Sequence, residues 1–448
     1  MLEEKGIHSV VLEEKRIGAG ASGKATAKIT VQHGPIYSRL IRQLGRETAA
    51  QYLHANRCAL EKYREMAQDI ECGMEECGAW LYSVEGREVL EAEYRAVLAL
   101  GVDACMSDDT ELPFPVVAGL RFARQLRFDP LRFLLGAART LRVFENTKAL
   151  RVDGGRVETT GGTVTADHVV FACHFPFVNA PGYYFARMHQ ERSYVLALEG
   201  AASMRDMYLG VDAGALSFRP AGELLLLGGG GHRTGENSQG GRYDELRRRA
   251  REFWTDCRER ARWSAQDCIP MDGIPYIGRF SSAARQWYVA TGFQKWGMTT
   301  AMAAAISLAD LICGGEGIQV FAPERFTPAA SARSFAKNTA QAVKGLARKS
   351  LEGPRAEVDA LPPGHGGIVD VEGEKMGVYK DESGKIYVVD ARCPHLGCQV
   401  EWNPDEKSWD CPCHGSRFDR YGRRLDGPAQ DGLETGERKD GADAARQS

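Results

Sequence analysis

The sequence of 448 residues lacks several features that mark common classes of protein. No apolar run is long enough to span a bilayer, because the nearest candidate, residues 301–312, is short and contains Asp310. No basic segment followed by an apolar one opens the chain, so we expect a cytoplasmic protein. A net charge of −3 gives no reason to expect nucleic acid or an anionic membrane as a partner.

What the sequence does contain indicates a multidomain globular protein. Hydrophobic residues make up 43% and charged residues 26%, which are globular values, and the length predicts two or three domains. Eight of the 12 cysteines lie outside the C-terminal segment and show no framework spacing. We therefore expect them to be reduced and mostly buried.

Two motifs near the C-terminus combine cysteine with histidine. Cys393 and His395 have the spacing C-x-H, and Cys411 and His414 have the spacing C-x-x-H. Two thiolates and two neutral imidazoles can divide between two irons, which is the ligand set of a Rieske [2Fe–2S] centre. The alternative is zinc, but a zinc finger usually pairs each residue type with its own kind. Because each motif mixes the two types, the pattern favours the cluster and predicts a redox protein.

Residues 366–432 resemble the Rieske fold, a small antiparallel β sandwich that carries two cluster loops. The resemblance is closest to the disulfide-bearing form found in respiratory Rieske proteins. It implies that Cys393 and Cys411 hold the inner iron and that His395 and His414 hold the exposed iron.

The same resemblance assigns further residues around the cluster. It implies a disulfide between Cys398 and Cys413, and a hydroxyl of Ser416 that donates to a cluster sulfide and raises the potential. Phe418 departs from the pattern, since a tyrosine that donates a second bond often stands there. We therefore expect an intermediate potential within the span of about −150 to +300 mV. Residues 427–429 resemble the loop that covers the cluster from a third side.

Composition divides the chain into four predicted regions. Pro, Lys, Arg, Ser and Ala replace large apolar residues after the glycines at 314–315, and strand signals begin again near residue 366. The predicted regions are a larger domain with mixed α and β signals (1–315), a linker (316–363), a Rieske domain (364–435) and a disordered tail (436–448).

The N-terminal region has the pattern of a dinucleotide-binding unit that starts part-way through. Residues 7–12 are predicted to form an apolar strand that ends at Glu13. In a dinucleotide-binding unit the second strand also ends at an acidic residue, which binds a ribose hydroxyl of the dinucleotide. The strand and G-x-G-x-x-G turn that should precede it are not seen, so we expect that the chain begins inside the βαβ unit. Residues 18–23 do spell G-x-G-x-x-G, but charged residues separate them from the strand and no acidic residue follows before Glu47. We do not assign them as the pyrophosphate motif.

Four segments, in order, resemble those of D-amino-acid-oxidase and glycine-oxidase-like flavoproteins: residues 10–28, 172–176, 272–278 and 290–299. The resemblance covers residues 1–315. It implies a Rossmann-like α/β FAD-binding domain of the glutathione-reductase type, with an interleaved α+β substrate domain, followed by the all-β Rieske domain. The residues that it places at FAD are Glu13, Ser22, Gly23, Lys28, Ala172, Gly292, Lys295, Gly297 and Met298.

The substrate-binding residues depart from the family pattern. Family members that oxidise amino acids place an arginine shortly before the D-G-x-P segment to grip the substrate carboxylate. Asp267 lies near that position here, which makes amino-acid oxidation doubtful and favours an amine or another reductant. Arg219 is a possible anion contact instead, and Lys295 a possible stabiliser of negative charge on reduced flavin.

Three functions are compared on these residues. The leading hypothesis is a flavin and iron–sulfur oxidoreductase that acts on a small molecule and exchanges single electrons with an external donor or acceptor. The alternative is a Rieske electron carrier whose flavin domain no longer binds FAD. A Rieske oxygenase is disfavoured, because no D/E-x-x-H-x3-5-H pattern occurs among the 10 histidines.

Overall fold

A computed structural model describes residues 1–325, 358–371 and 374–436. The linker predicted at 316–363 and the tail predicted at 436–448 lie mostly outside these residues. The chain divides into two compact units, which are described separately. The larger comprises most of residues 1–325, and the smaller comprises the C-terminal region together with His189–Glu191 and His232–Gly241.

Six α-helices are present in the described part of the chain. The longest, of 21 residues, is amphipathic, and no helix within these ranges is both long and apolar enough to cross a bilayer. The helices are α1 (Tyr37–Leu44), α2 (Arg46–Met66), α3 (Glu88–Ala99), α4 (Pro130–Ala138), α5 (Arg242–Phe253) and α6 (Gly297–Ile312).

Helix α2 anchors the core of the larger unit. Its buried side chains recur every three or four residues, which is the period of one helical face. The hydroxyl of Tyr63, at the end of that face, donates to the carbonyl of Met298 over 2.7 Å and so fixes the start of α6. The buried residues of α2 are Ala49, Tyr52, Leu53, Ala55, Asn56, Ala59, Leu60 and Tyr63.

The first seventeen strands build the larger unit. They are β1 (Val10–Leu12), β2 (Lys28–Ile29), β3 (Glu75–Ser83), β4 (Ala104–Ser107), β5 (Ala118–Arg127), β6 (Arg142–Phe144), β7 (Ala149–Asp153), β8 (Arg156–Thr159), β9 (Gly162–Thr165), β10 (Val169–Phe171), β11 (Met188–Glu199), β12 (Met207–Gly210), β13 (Ser217–Ala221), β14 (Leu224–Arg233), β15 (Arg258–Pro270), β16 (Tyr276–Ser281) and β17 (Ala284–Thr291).

Two small sheets contain the parallel pairings of an α/β nucleotide-binding domain. Strand β1 pairs with β6 in parallel, and β10 pairs with β17 in parallel while β16 adds an antiparallel edge. Among the described residues, β1 pairs only with β6 and β10 only with β17. Val10, Val11 and Val170 on these two strands are accordingly exposed.

A nine-stranded mixed sheet forms the α+β part of the larger unit, in the order β15-β11-β14-β13-β12-β3-β5-β2 with β4 beside β5. Phe218 of β13 packs with Tyr82 in an apolar cluster that also receives α5. Its neighbours Ser217 and Arg219 project from the opposite face, because successive side chains of a strand alternate. Arg219 lies opposite Leu226 of β14, so Leu226 shares that second face.

The smaller unit is an antiparallel β sandwich. Strands β18, β19, β20 and β25 form one sheet, and β21 to β24 form the other in sequence order. An apolar core of aromatic residues, including Trp402, Trp409 and Phe418, lies in this unit. Its strands are β18 (Gly366–Val371), β19 (Glu374–Lys380), β20 (Ile386–Asp390), β21 (Glu401–Asn403), β22 (Ser408–Asp410), β23 (Arg417–Asp419), β24 (Arg424–Asp426) and β25 (Thr435–Gly436).

A buried guanidinium holds the second sheet of the sandwich together. Arg417 is 3% exposed and forms ion pairs of 3.0 Å with Asp410, Asp426 and Glu406. Because a buried charge is tolerated only when it is paired and hydrogen-bonded, three carboxylates around one guanidinium stabilise the cation inside the sheet.

Candidate functional site

Two loops of the smaller unit repeat the same backbone pattern. Loop one follows β20, and the amide of Gly397 donates to the carbonyl of Cys393 over 2.9 Å. Loop two joins β22 to β23, and Gly415 donates to Cys411 over the same distance. Both glycines have positive φ, 78° and 82°, a backbone conformation that glycine adopts at little cost. The matched turns present the cysteine and histidine of each motif in equivalent ways.

The four predicted ligands come together between these loops. Cys393 and Cys411 are each 1% exposed, and their thiols are hydrogen-bonded to each other. The rings of His395 and His414 lie edge to face, with 4.9 Å between their centroids. The sequence pattern therefore predicted four side chains that the fold places in one cluster.

The local electrostatics favour the iron-binding protonation state at three of the four ligands, His395, His414 and Cys393. Burial lowers the pKa of His395 to about 4. Burial, and then the positive charges of His395 and Arg233, lower the pKa of His414 to about 3. Both imidazoles are therefore neutral near pH 7, which is the form that ligates metals. The hydrogen bond from Cys411 lowers the pKa of Cys393, which favours a thiolate there, whereas the same bond and burial raise the pKa of Cys411. This donor set fits a [2Fe–2S] cluster.

Cys398 and Cys413 form a disulfide that joins the two loops. The sulfur of Cys411 lies within 4.8 Å of both disulfide sulfurs. A disulfide sulfur carries no negative charge, and thiolates are the metal ligands. The bridge therefore fastens the loops beside the cluster and leaves Cys393 and Cys411 as the thiolate ligands.

Ser416 is fully buried at the end of loop two. Its hydroxyl lowers the pKa of the Cys393 thiol and accepts the amide proton of Ala429 over 3.0 Å. The serine thus connects the cluster site to the segment at 427–429. Phe418 is fully buried in the apolar core and offers no hydroxyl.

In the larger unit, residues 18–24 form a tight loop. A Cβ atom on Gly23 would lie 2.0 Å from the carbonyl oxygen of Gly18, so only glycine fits there. Ser22 begins a 3-10 turn that ends at Lys24, whose carbonyl accepts the indole N–H of Trp263 over 2.8 Å. The loop is tight at Ser22 and Gly23, and their predicted contact with FAD stays a prediction.

Glu13 and Ala172 each stand one residue beyond a parallel strand, β1 and β10. Glu13 donates its amide to the carbonyl of Phe144, and its carboxylate accepts the amide of Lys15 over 2.8 Å. Ligands of α/β folds bind at the carboxyl ends of parallel strands, where both residues lie.

The C-terminal flavin segment leads directly into α6. Gly292 has a φ of 74°, and a Cβ atom there would lie 2.6 Å from Pro270. Gly297 opens α6 and faces no heavy atom within 4 Å of a built Cβ. Lys295 is exposed, whereas the side chain of Met298 packs in the core against the α2 region. The glycines thus leave room at the helix start, and Met298 contributes packing.

Lys28 and Arg219 place two positive groups on the second face of the nine-stranded sheet. The ammonium of Lys28 donates to the carbonyl of Tyr208 over 3.3 Å and to the hydroxyl of Ser217. Burial, and then the charge of Arg219, lower the pKa of Lys28 to about 7. Arg219 is 6% exposed and donates to the carbonyl of Phe128 over 2.5 Å, while its Nε has no acceptor within the described residues.

Asp267 is half-buried on β15 and accepts a hydrogen bond of 3.3 Å from the hydroxyl of Ser193. The nearby Asp272, in the D-G-x-P segment, forms an ion pair of 3.0 Å with Arg325. The two carboxylates therefore have different surroundings. Asp272 fixes the backbone of a turn by accepting the amide of Ile274. Asp267 is the residue whose place in the sequence we compared with that of the family arginine.

Sequence reasoning missed two side chains beside the cluster loops. Gln190 donates to the carbonyl of His414, and Arg233 donates to the carbonyls of Pro412 and Cys413. Both belong to the smaller unit although they are some 180 to 220 positions away in the chain. No local motif surrounds either residue, so no pattern in the sequence could have found them.

Comparison with known proteins assigns both parts of the chain. The model of the FAD dependent oxidoreductase family matches residues 1–311. The chain belongs to this family. A second model, of the Rieske [2Fe-2S] domain, matches residues 353–437. The protein is therefore an FAD-dependent oxidoreductase with a Rieske domain, and FAD and a [2Fe–2S] cluster are its cofactors, as the sequence predicted.

Individual relatives agree with this assignment. The protein YhfW of Bacillus subtilis (strain 168), named as a Rieske 2Fe-2S iron-sulfur protein, is 33% identical over 449 residues, which cover 96% of this chain and 88% of that protein. The iron-sulfur subunit of the cytochrome b6-f complex of Nostoc punctiforme is 50% identical over 48 residues, 11% of this chain and 27% of the subunit.

Glycine oxidase from Geobacillus kaustophilus has a similar structure, with a TM-score of 0.60 and 17% sequence identity. The alignment covers 72% of this chain and 94% of that enzyme. At this identity the likeness shows the fold alone. It confirms the predicted FAD-binding α/β fold with its interleaved α+β domain.

Proposed function

We propose that this FAD-dependent oxidoreductase exchanges two electrons with a small organic substrate and single electrons with an external donor or acceptor. FAD supplies two-electron chemistry and the Rieske cluster supplies one-electron chemistry. The observation that carries the proposal is the cluster of two buried cysteines, the buried His414 and the half-buried His395, on the same chain as a flavin-family domain. A cytoplasmic location is part of the proposal, and cell fractionation tests it.

The charges on the second face of the nine-stranded sheet support separate contacts for a basic group and for an acidic group. Arg219 and Lys28 are positive groups withdrawn from water, and a buried cation favours an anionic partner. Asp267 is the negative group, and in the sequence it lies near the position at which the family's amino-acid oxidases have an arginine. We propose that an amine is oriented by Asp267 and that an acidic group of the same or a second ligand is held by Arg219.

Anaerobic titration of the purified holoprotein with amines, amino acids and amino-acid analogues tests this function. A substrate will bleach the flavin absorbance and produce the EPR signal of the reduced cluster in the same sample. Asp267→Asn is expected to raise KM for amines at least tenfold, and Arg219→Gln to do so for acidic substrates. A compound that bleaches the flavin but leaves the cluster oxidised would contradict electron exchange between the two cofactors.

The second candidate function is a cluster-only electron carrier. The observation in its favour is that, within the described residues, β1 and β10 each pair with another strand on one side only. In this part of the chain, the parallel strands that would support FAD are therefore few. Flavin and iron analysis of the purified chain separates the two functions. One flavin per two irons supports the oxidoreductase, and two irons without flavin support the carrier.

A further inference from the structure

Two chain segments distant in sequence contact the loop that carries His414. Residues His189–Glu191 and His232–Gly241 belong to the same compact unit as the cluster loops. Within that unit, the side-chain amide of Gln190 donates to the carbonyl of His414 over 2.6 Å and to that of Gly427 over 3.1 Å. A Cβ atom on Gly415 would lie 2.6 Å from Cβ of Gln190, so the approach is close. Gln190 thus joins loop two, which carries His414, to the segment at 427–429.

Arg233 adds a charge to this contact. Its Nε donates to the carbonyl of Pro412 over 3.3 Å, and its Nη2 donates to the carbonyl of Cys413 over 3.4 Å. These two carbonyls lie between the ligands Cys411 and His414 in the chain. The guanidinium is therefore held against the backbone of the loop that supplies one ligand to each iron.

The charged groups around Arg233 oppose one another. Burial lowers the pKa of Arg233, and the carboxylates of Glu236 and Glu191 and the thiolate of Cys411 raise it. An arginine side chain stays protonated in proteins, so a full positive charge faces the loop. Glu191 and Glu236 offset part of that charge, whereas Arg233 is hydrogen-bonded to the loop carbonyls at 412 and 413.

We propose that the positive charge of Arg233 raises the reduction potential of the Rieske cluster. Reduction adds one electron and makes the cluster one unit more negative. A fixed cation next to the ligand loop stabilises that reduced form relative to the oxidised form. In this arrangement, Glu236 acts in the opposite direction because it offsets the guanidinium.

EPR-monitored redox titration of the full holoprotein tests the proposal. Arg233→Gln keeps a hydrogen-bond donor and removes the charge, and Arg233→Lys keeps the charge. The matched control is Arg420→Gln, which removes the same charge in the same unit from a guanidinium that lies 4.9 Å over the ring of Tyr421. Iron content and the visible circular dichroism of each variant establish that the cluster is intact.

The proposal predicts a fall in midpoint potential for Arg233→Gln that equals about a tenfold change in the reduction equilibrium, ~59 mV for a one-electron couple. Arg233→Lys retains most of the wild-type potential, and Arg420→Gln shifts it by less than a third as much. Glu236→Gln leaves the loop contacts in place and shifts the potential upward.

Two results would overturn the proposal. Equal shifts of the midpoint potential in Arg233→Gln and Arg420→Gln would show that only the net charge of the protein matters and not the place of Arg233. A potential in Arg233→Lys that matches Arg233→Gln would assign the effect to the hydrogen bonds. If Arg233→Gln loses its cluster, the sign of the Glu236→Gln shift decides, and a downward or absent shift refutes the role of the charge.

Discussion

The two cofactor regions of this protein are organised in opposite ways. All four cluster ligands, the disulfide and Ser416 lie between residues 393 and 416, on two loops of one small sandwich. The residues assigned to FAD are spread from Glu13 to Met298, across two small sheets, a nine-stranded sheet and the start of α6. One site is local in sequence, whereas the other is assembled by the whole larger unit.

This difference has a physical basis. An iron–sulfur cluster is small and is held by a few strong bonds, so two short loops provide everything that it needs. A dinucleotide is long and is held by many weak contacts to backbone and side chains along its length. Its binding site must therefore draw on many elements, and each of them contributes little. We expect substitutions to affect the two sites independently and to very different extents.

The largest expected effect is loss of the cluster in Cys411→Ser. Removing one thiolate from a four-ligand set will reduce iron from two per chain to near zero, because a serine hydroxyl is a poor ligand for this cluster. Flavin content will stay unchanged. Iron and flavin analysis of the same preparation measures both. Cys105→Ser, at an exposed cysteine, is the control and keeps both cofactors. Loss of flavin in Cys411→Ser would show that the two sites are coupled.

The converse substitution is Gly23→Ala, which will reduce bound flavin at least tenfold and leave iron at two per chain. The new Cβ atom would lie 2.0 Å from the carbonyl oxygen of Gly18, so the loop at 18–24 must open. Gly20→Ala in the same loop is the matched control, since its Cβ atom meets nothing within 4 Å. Equal flavin content in the two variants would remove this loop from the FAD site.

The same contrast explains what could be predicted from the sequence. The ligands Cys393, His395, Cys411 and His414 could be predicted from their spacing, because loops that bind a metal must present their ligands locally. The α/β and all-β classes followed from family motifs and are confirmed by the comparisons. Arg233 and Gln190 could not be predicted, because their contacts with loop two depend on how distant segments fold together. The partners of Lys28 and Arg219 were equally hidden, since they depend on sheet register.

A third and smaller effect concerns the pH dependence of stability. An unfolded lysine keeps its proton up to about pH 10.5, whereas Lys28 in the folded protein loses it near pH 7. Between these values the unfolded state binds more protons, so stability rises with pH, by up to about 1.4 kcal/mol per unit. Lys28→Met will remove this slope and raise the stability at pH 7 by on the order of 3 kcal/mol. Thermal unfolding of the holoprotein across pH 6.5 to 10 measures it, with the exposed Lys24→Met as control. A slope that persists in Lys28→Met would refute the assignment.

The smallest expected effect is that of Ser416→Ala on the cluster potential. The hydroxyl lowers the pKa of the Cys393 thiol, and its removal withdraws a donor that stabilises the reduced cluster. We expect the reduced cluster to lose about 1 kcal/mol of stabilisation, which lowers the midpoint potential by a few tens of mV. The iron content is expected to stay unchanged. Ser383→Ala, on an exposed turn, is the control. A higher potential in Ser416→Ala would mean that the hydroxyl acts mainly as an acceptor for Ala429.

The ion pairs around Arg417 have a consequence for the lifetime of the protein. Asp410 ends the strand before loop two, Arg417 begins the strand after it, and Asp426 lies on β24. Their ion pairs therefore hold three strands of this sheet together without iron. The sandwich frame is thus stabilised by its own buried charges and aromatic core, and the disulfide ties its loops. We therefore expect that a chain that loses its cluster to oxidation keeps the fold of the sandwich and its two ligand loops. Repair then requires delivery of a new cluster and not the synthesis of a new protein.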